Sequence, residues 1–138
     1  MRIRPYVPTD YPDVKQNLED GLLYEDAIDN PESLARKIAL DPQSILVAED
    51  DGHAIGNIIL CYDGWCALAW HLAVRKEYRG RDIGLHLMQE AERILTDRGA
   101  PYVAAFVDMS KTTLVAYYER QGFERGPGSF CSMSKVLK

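Results

Sequence analysis

The stretch from Ala67 to Arg98 constrains the fold of this chain more than any other. An apolar run, Ala67–Val74, leads into a loop carrying Arg75, Lys76, Arg79, Gly80 and Arg81, and the loop opens directly into a long helical pattern. Over residues 83–98, Ile83, Leu87, Met88, Ala91, Ile94 and Leu95 fall on one face of a helix, and Gly99 and Pro101 end it. A strand, a basic glycine loop and a buried-face helix in that order have a physical use. The first turn of a helix leaves four backbone N–H groups unpaired, and the aligned peptide dipoles add roughly half a positive charge there. Glycines at 80 and 84 allow close approach of a bulky anion, with a diphosphate the natural candidate. No Gly-Lys-Ser/Thr follows, so this is not a Walker-type loop. The strands upstream look hairpin-connected, which argues against a dinucleotide fold. An ordinary solvated loop before a core helix has similar chemistry, so the loop alone does not decide between the two.

The remaining elements are read from pattern and punctuation. Residues 1–7 suit a short edge strand. Thr9 or Asp10 starts a helix with Pro12 in its first turn and Gly21 at its end. A second helix starts at Asn30-Pro31-Glu32 and stops at Asp41-Pro42. Ile45–Glu49 and Ala54–Tyr62 form a hairpin around Asp50-Asp51-Gly52, and Ala67–Val74 is the fourth strand. Tyr102–Val107 reads as a fifth strand, Thr112–Gln121 as a helix closed by Gly122, and Phe130–Val136 as a last strand. With no repeat or linker, the expectation is one α+β domain spanning 1–138 with a mostly antiparallel sheet.

Composition narrows the function classes. The 138 residues hold 16 Lys+Arg against 21 Asp+Glu, a net charge of −5, which argues against a dedicated nucleic-acid surface. No apolar run approaches the length of a membrane span, and the N-terminus lacks a signal-peptide core, so a cytoplasmic location is expected. Cys61, Cys66 and Cys131 form no CxxC pair, and no metal site is expected; Cys61 and Cys131 read as buried thiols.

A second motif follows the long helix: Tyr118-Glu119-Arg120-Gln121-Gly122-Phe123. Alone it is a helix C-cap with aromatic neighbours. Together with Arg79-Gly80-Arg81-Asp82-Ile83-Gly84 it resembles the GNAT superfamily of acyl-CoA-dependent N-acyltransferases, whose loop has the form Arg/Gln-x-x-Gly-x-Gly/Ala and whose later signature is Tyr-Glu-x-x-Gly-Phe. The resemblance spans nearly the whole chain. It implies a GNAT-like α+β fold: a mixed, mostly antiparallel sheet of 6–7 strands flanked by about four helices, in the order β-α-α-β-β-β-α-β-α-β-β.

The same resemblance implies acetyl-CoA as co-substrate and transfer of its acetyl group to a primary amine by direct attack in a ternary complex. Backbone groups of Leu72, Ala73 and Val74 would pair with pantetheine, and the loop Arg79, Gly80, Arg81, Asp82, Ile83 and Gly84 would hold the diphosphate. Tyr118 matches the usual general acid. Three positions depart from the family. Asp82 replaces the middle glycine, Lys111 stands where many members have Asn near pantetheine, and Phe106 falls where some protein N-terminal acetyltransferases place a glutamate base. For the base, His71 on the fourth strand titrates near neutral pH and is a candidate, with a satisfied sheet histidine as the alternative. Asp63 and Asp108 are further candidates that also suit turns. The cluster Leu22, Leu23, Tyr24, Glu25, Asp26 and Asp29 suits either an acceptor pocket for a cationic amine or a solvated acidic loop. Acceptors left open are a small-molecule amine and a protein N-terminus or lysine. Homodimers are common among such folds, and no sequence feature establishes one. A catalytically weak CoA-binding or sensory module is the alternative function.

Overall fold

The computed structural model describes residues 1–128 and 130–137. It divides into two compact units, Met1–Ala105 and Phe106–Lys138. In the first, β1 (Arg2–Pro5) is followed by a 3-10 turn and α1 (Tyr11–Asp20). The short α2 (Asp26–Asp29) and then α3 (Pro31–Leu40) come next, ahead of a meander of β2 (Ile45–Asp50), β3 (His53–Cys61) and β4 (Ala67–Val74). A further 3-10 turn leads to α4 (Ile83–Asp97), and β5 (Val103–Ala105) closes the unit. The sheet order is β1-β2-β3-β4-β5; the first three pairings are antiparallel and β4–β5 is parallel.

The central strands are covered on both faces. Ile45–Ala48 are all buried, as are Ala54–Leu60, the continuous apolar signature of an inner strand. On one face Tyr6, Ile45, Val47, Ile59 and Ala73 cluster with Val14 and Leu18 of α1 and Leu34 of α3. On the other lies α4, with Ile83, Leu87, Met88, Ala91, Ile94 and Leu95 all buried. Each of the large aliphatic side chains stabilises the fold by roughly 1.5–3 kcal/mol relative to exposure. Gly56 sets how close α4 comes. A Cβ there would meet the Ala73 carbonyl oxygen at 3.1 Å and Ile83 and Leu87 side chains at 3.2 Å.

Helix starts follow the punctuation in part. Asn30 caps α3, its Oδ1 accepting the Ser33 N–H at 2.9 Å. Asp10 stands at the α1 N-cap position, yet its carboxylate turns back to accept from Arg4 at 2.8 and 2.9 Å and from the Val7 N–H at 2.9 Å. Burial alone would raise the Asp10 carboxyl, but the Arg4 fork and the Val7 amide outweigh it and hold it below the ordinary range.

The second unit contains α5 (Thr112–Arg120). Here an expectation is corrected: residues 130–136 form no strand, and Phe130, Met133 and Val136 are exposed. Their spacing is three, whereas one face of a strand would carry residues 130, 132, 134 and 136, which are Phe, Ser, Ser and Val. Among the described residues the sheet therefore has five strands rather than 6–7, and α2 adds a helix to the expected four. Cys61 and Cys131 are exposed, not buried. Cys61 is the last residue of β3, and its Sγ lies 3.7 Å from Lys37 Nζ.

Candidate functional site

The site expected from sequence starts on β4. Its pairing with β5 runs only from Ala67 to Ala69, and over Leu72–Val74 the outer edge of β4 has no strand partner among the described residues. On the inner side the ladder with β3 slips: Asn57 pairs with Ala73 while Ile59 pairs with Trp70, leaving one extra residue in β4. This is a β-bulge, and His71 takes a left-handed φ of 51° within it. Such a conformation costs roughly 1 kcal/mol or more in a non-glycine residue and persists where neighbours over-determine it.

Those neighbours are identifiable. Asn57 is fully buried and donates from Nδ2 to the His71 carbonyl at 3.0 Å. Asn17 of α1, also fully buried, donates to Asn57 Oδ1 at 3.1 Å and to the Ala54 carbonyl at 2.9 Å. The His71 ring meets the last residue of α2: Nε2 lies 3.0 Å from Asp29 Oδ2, with the two side chains 6% and 2% exposed. The same carboxylate oxygen accepts the Glu25 N–H at 2.8 Å. Asp29 is thus separated from its acidic neighbours. Glu25 and Asp26 are exposed, whereas Asp29 lies beneath the bulge.

After Val74 the chain enters the basic loop, and the structure divides its four cations. Arg75 turns to α1, its Nη2 2.8 Å from Asp13 Oδ1. Burial tends to raise the Asp13 carboxyl, but Arg75, the Ala54 N–H and His53 together bring it down. Arg79 donates from Nε to the Val74 carbonyl at 3.1 Å and from Nη2 to the Asp20 carbonyl at 3.2 Å, tying the loop to β4 and to the end of α1. Arg81 lies over the Tyr78 ring at 5.1 Å. Lys76 donates its backbone N–H to Asp20 at 3.4 Å.

Two left-handed residues then turn the chain into α4. Gly80 has φ 80°, with open space around it, and Asp82 has φ 59° and ψ 18°. Asp is among the few side chains that tolerate this region, which accounts for a carboxylate where a glycine is usual. Asp82 is exposed, and its side chain does not cap α4. The N–H groups of Ile83 and Gly84, in the first turn, have no acceptor within α4.

Tyr118 and Lys111 belong to the second unit. Tyr118 packs edge-on to Phe123 and Tyr117 at 5.3 and 5.6 Å between ring centres. Burial, with a smaller contribution from Tyr117, pushes its phenol up to about 12, so it carries its proton at neutral pH. Lys111 is exposed just ahead of α5. Asp63 and Asp108 are turn residues, accepting from the Trp65 and Ser110 N–H groups at 3.3 and 3.0 Å. Phe106 is exposed. Sequence reading missed Asn17, Asn57 and the burial of Asp29; nothing in their local sequence marks them.

A bulged strand with a one-sided free edge, running through a left-handed turn into an uncapped helix, defines the class. The chain matches the Acetyltransferase (GNAT) family over residues 9–123 and belongs to it. It is 32% identical over 124 residues to an acetyltransferase of Sodalis glossinidius (strain morsitans), covering 90% of this chain and 87% of that one. Solved structures share the fold. Ard1 from Thermoplasma volcanium superposes with a TM-score of 0.80 at 20% identity, over 91% of this chain and 84% of that one. The PaiA N-acetyltransferase from Thermoplasma acidophilum, in complex with coenzyme A, gives 0.75 at 20% identity over 93% and 92%.

Proposed function

We propose that the protein transfers the acetyl group of acetyl-CoA to a primary amine, by direct attack within a ternary complex. The observation that carries this reading is the outer edge of β4 over Leu72–Val74, which has no strand partner among the described residues and is continuous with the Gly80–Asp82 turn and the N-terminus of α4. The residues present fit coenzyme A. An extended chain with two amides can complete the ladder of Leu72–Val74, and a diphosphate suits the uncapped N–H groups of residues 83 and 84. Gly80 admits the anion close to the backbone, while Arg79 holds the loop in place. Arg81 supplies positive charge at the surface of the loop, and the family resemblance assigns Lys111 to the pantetheine region. Asp82, displayed outward in its left-handed turn, is compatible with an anion bound on the amide side.

When bound, acetyl-CoA supplies an activated carbonyl and a thiolate leaving group. His71 takes a proton from the ammonium form of the acceptor, directly or through water. The freed nitrogen lone pair forms the N–C bond, and the C–S bond breaks. The family signature assigns the proton for the departing sulfur to Tyr118, whose phenol is protonated at neutral pH, and the remaining surplus proton on nitrogen restores the phenol. Overall, ammonium and thioester become amide, thiol and one proton. Backbone groups of Leu72–Val74 would help polarise the thioester carbonyl, where negative charge develops. The acceptor is a small-molecule amine or a protein N-terminus or lysine, approached from the Leu22–Asp29 segment. Isothermal titration with acetyl-CoA tests the reading: binding in the micromolar range is expected, and no heat at millimolar ligand would sink it.

A further inference from the structure

We propose that Asp29 is a positioning residue for His71, fixing the imidazole with its proton on Nε2 and the lone pair of Nδ1 turned to the acceptor amine. This deepens the acetyl-transfer reading and rests on it. An ionised carboxylate can only accept a hydrogen bond, so the 3.0 Å contact between Asp29 Oδ2 and His71 Nε2 places the proton on Nε2 of the neutral ring. Nδ1 is then the basic nitrogen. Among the described residues, the buried side-chain nitrogen and oxygen atoms without a partner are Asn17 Oδ1, Ser44 Oγ, Arg75 Nε and Gln121 Nε2. His71 Nδ1 is not one of them, and no group of the described residues hydrogen-bonds it, so it keeps a path to solvent.

The arrangement is built rather than incidental. Asp29 is 2% exposed, and burying a carboxylate is costly unless it is paired and hydrogen-bonded. It has two donors here, the His71 ring and the Glu25 N–H. The ring in turn is held by a backbone that Asn57 and Asn17 lock into the bulge. The pair therefore joins the last residue of α2, in the segment expected to meet the acceptor, to the strand expected to hold the thioester. A histidine oriented by a carboxylate is a standard way to hold one tautomer for proton transfer.

The test combines a spectroscopic and a kinetic readout on the full chain. In one-bond 1H–15N spectra at pH 8, a ring N–H cross-peak from His71 Nε2 is expected, sheltered from exchange by Asp29. It is assigned by its absence in His71→Gln and should vanish in Asp29→Ala. Thiol release from acetyl-CoA is followed with spermidine, tyramine and a lysine-containing tetrapeptide with a free N-terminus. The isosteric Asp29→Asn should lower kcat about 10–100-fold, within the range of general acid–base effects, with acetyl-CoA affinity changed less than twofold. Because the two residues act as a unit, Asp29→Asn/His71→Gln should be no slower than His71→Gln alone. A ring proton on Nδ1 in the wild type, a cross-peak that survives Asp29→Ala, or an unchanged kcat in Asp29→Asn would overturn the assignment. So would additive effects in the double variant, which mark a purely structural contact. Absence of thiol release by the wild type would instead overturn the transfer reading, with the cross-peak still deciding the role of Asp29.

Discussion

Asn57→Ala is the substitution that most directly tests how the β4 bulge is held. The side chain is sealed from solvent and makes two hydrogen bonds, accepting from Asn17 Nδ2 at 3.1 Å and donating to the His71 carbonyl at 3.0 Å. Removing it strands a donor on Asn17, which keeps its bond to Ala54, and an acceptor at His71. Each buried group left without a partner costs about 1–3 kcal/mol, so a loss of about 3–4 kcal/mol is expected, with the small cavity included in that figure. For a chain of this size the urea slope is on the order of 2 kcal/mol per molar, so the midpoint should fall by about 1.5–2 M without a change in slope. The released bulge should also weaken acetyl-CoA binding several-fold in titration calorimetry. A midpoint shift below about 0.5 M would refute the reasoning, since water or backbone movement would then be satisfying the two orphaned groups.

Other consequences are as concrete. Gly56→Ala should destabilise by about 1–3 kcal/mol in the same urea assay, because one of the three atoms near its Cβ is a backbone oxygen at 3.1 Å; a stabilised variant would show that α4 gives way freely. Tyr118→Phe should lower kcat by about 100-fold or more with little change in the acetyl-CoA KM, and equal kcat would remove it as the acid unless product release limits turnover. Asp10, Asp13 and Asp41 all have carboxyls held below their ordinary values. Their stabilisation is present above the unfolded value near 3.9 and lost as pH falls through the lowered native ones, so the urea midpoint should drop below about pH 4. A midpoint flat between pH 5 and 2.5 would contradict those pairings. Cys61 and Cys131, both exposed, should react with a thiol reagent in the native protein at rates close to those in urea.

What the sequence made legible follows how local each signal is. The α4 stripe from Ile83 to Leu95 recurs along a helix of fifteen residues, and Ile45–Ala48 is a buried run bounded by turn chemistry, so both elements could be read directly. The Asn30 cap was visible for the same reason. Phe130–Val136 has apolar residues without the period-two spacing a strand needs, so its composition alone points to a strand that does not form. The bulge at His71 depends on Asn57 and Asn17, and the ring partner lies 42 residues away, so no window along the chain contains the constellation. Asp82 was legible as an oddity. Its explanation needed the backbone, where an aspartate occupies a left-handed turn otherwise suited to glycine.

The half-paired β4 has a consequence for the protein before it meets any ligand. Over Leu72–Val74 its outer edge, without a strand partner among the described residues, offers main-chain donors and acceptors in an apolar strand, the template on which another chain can add itself. Occupancy of that edge and self-association would then compete for the same groups, so a well-supplied cell would also keep the protein dispersed. Two local features blunt the hazard in the meantime: the bulge at His71 twists the edge out of register, and Arg75 and Lys76 end the strand in charge.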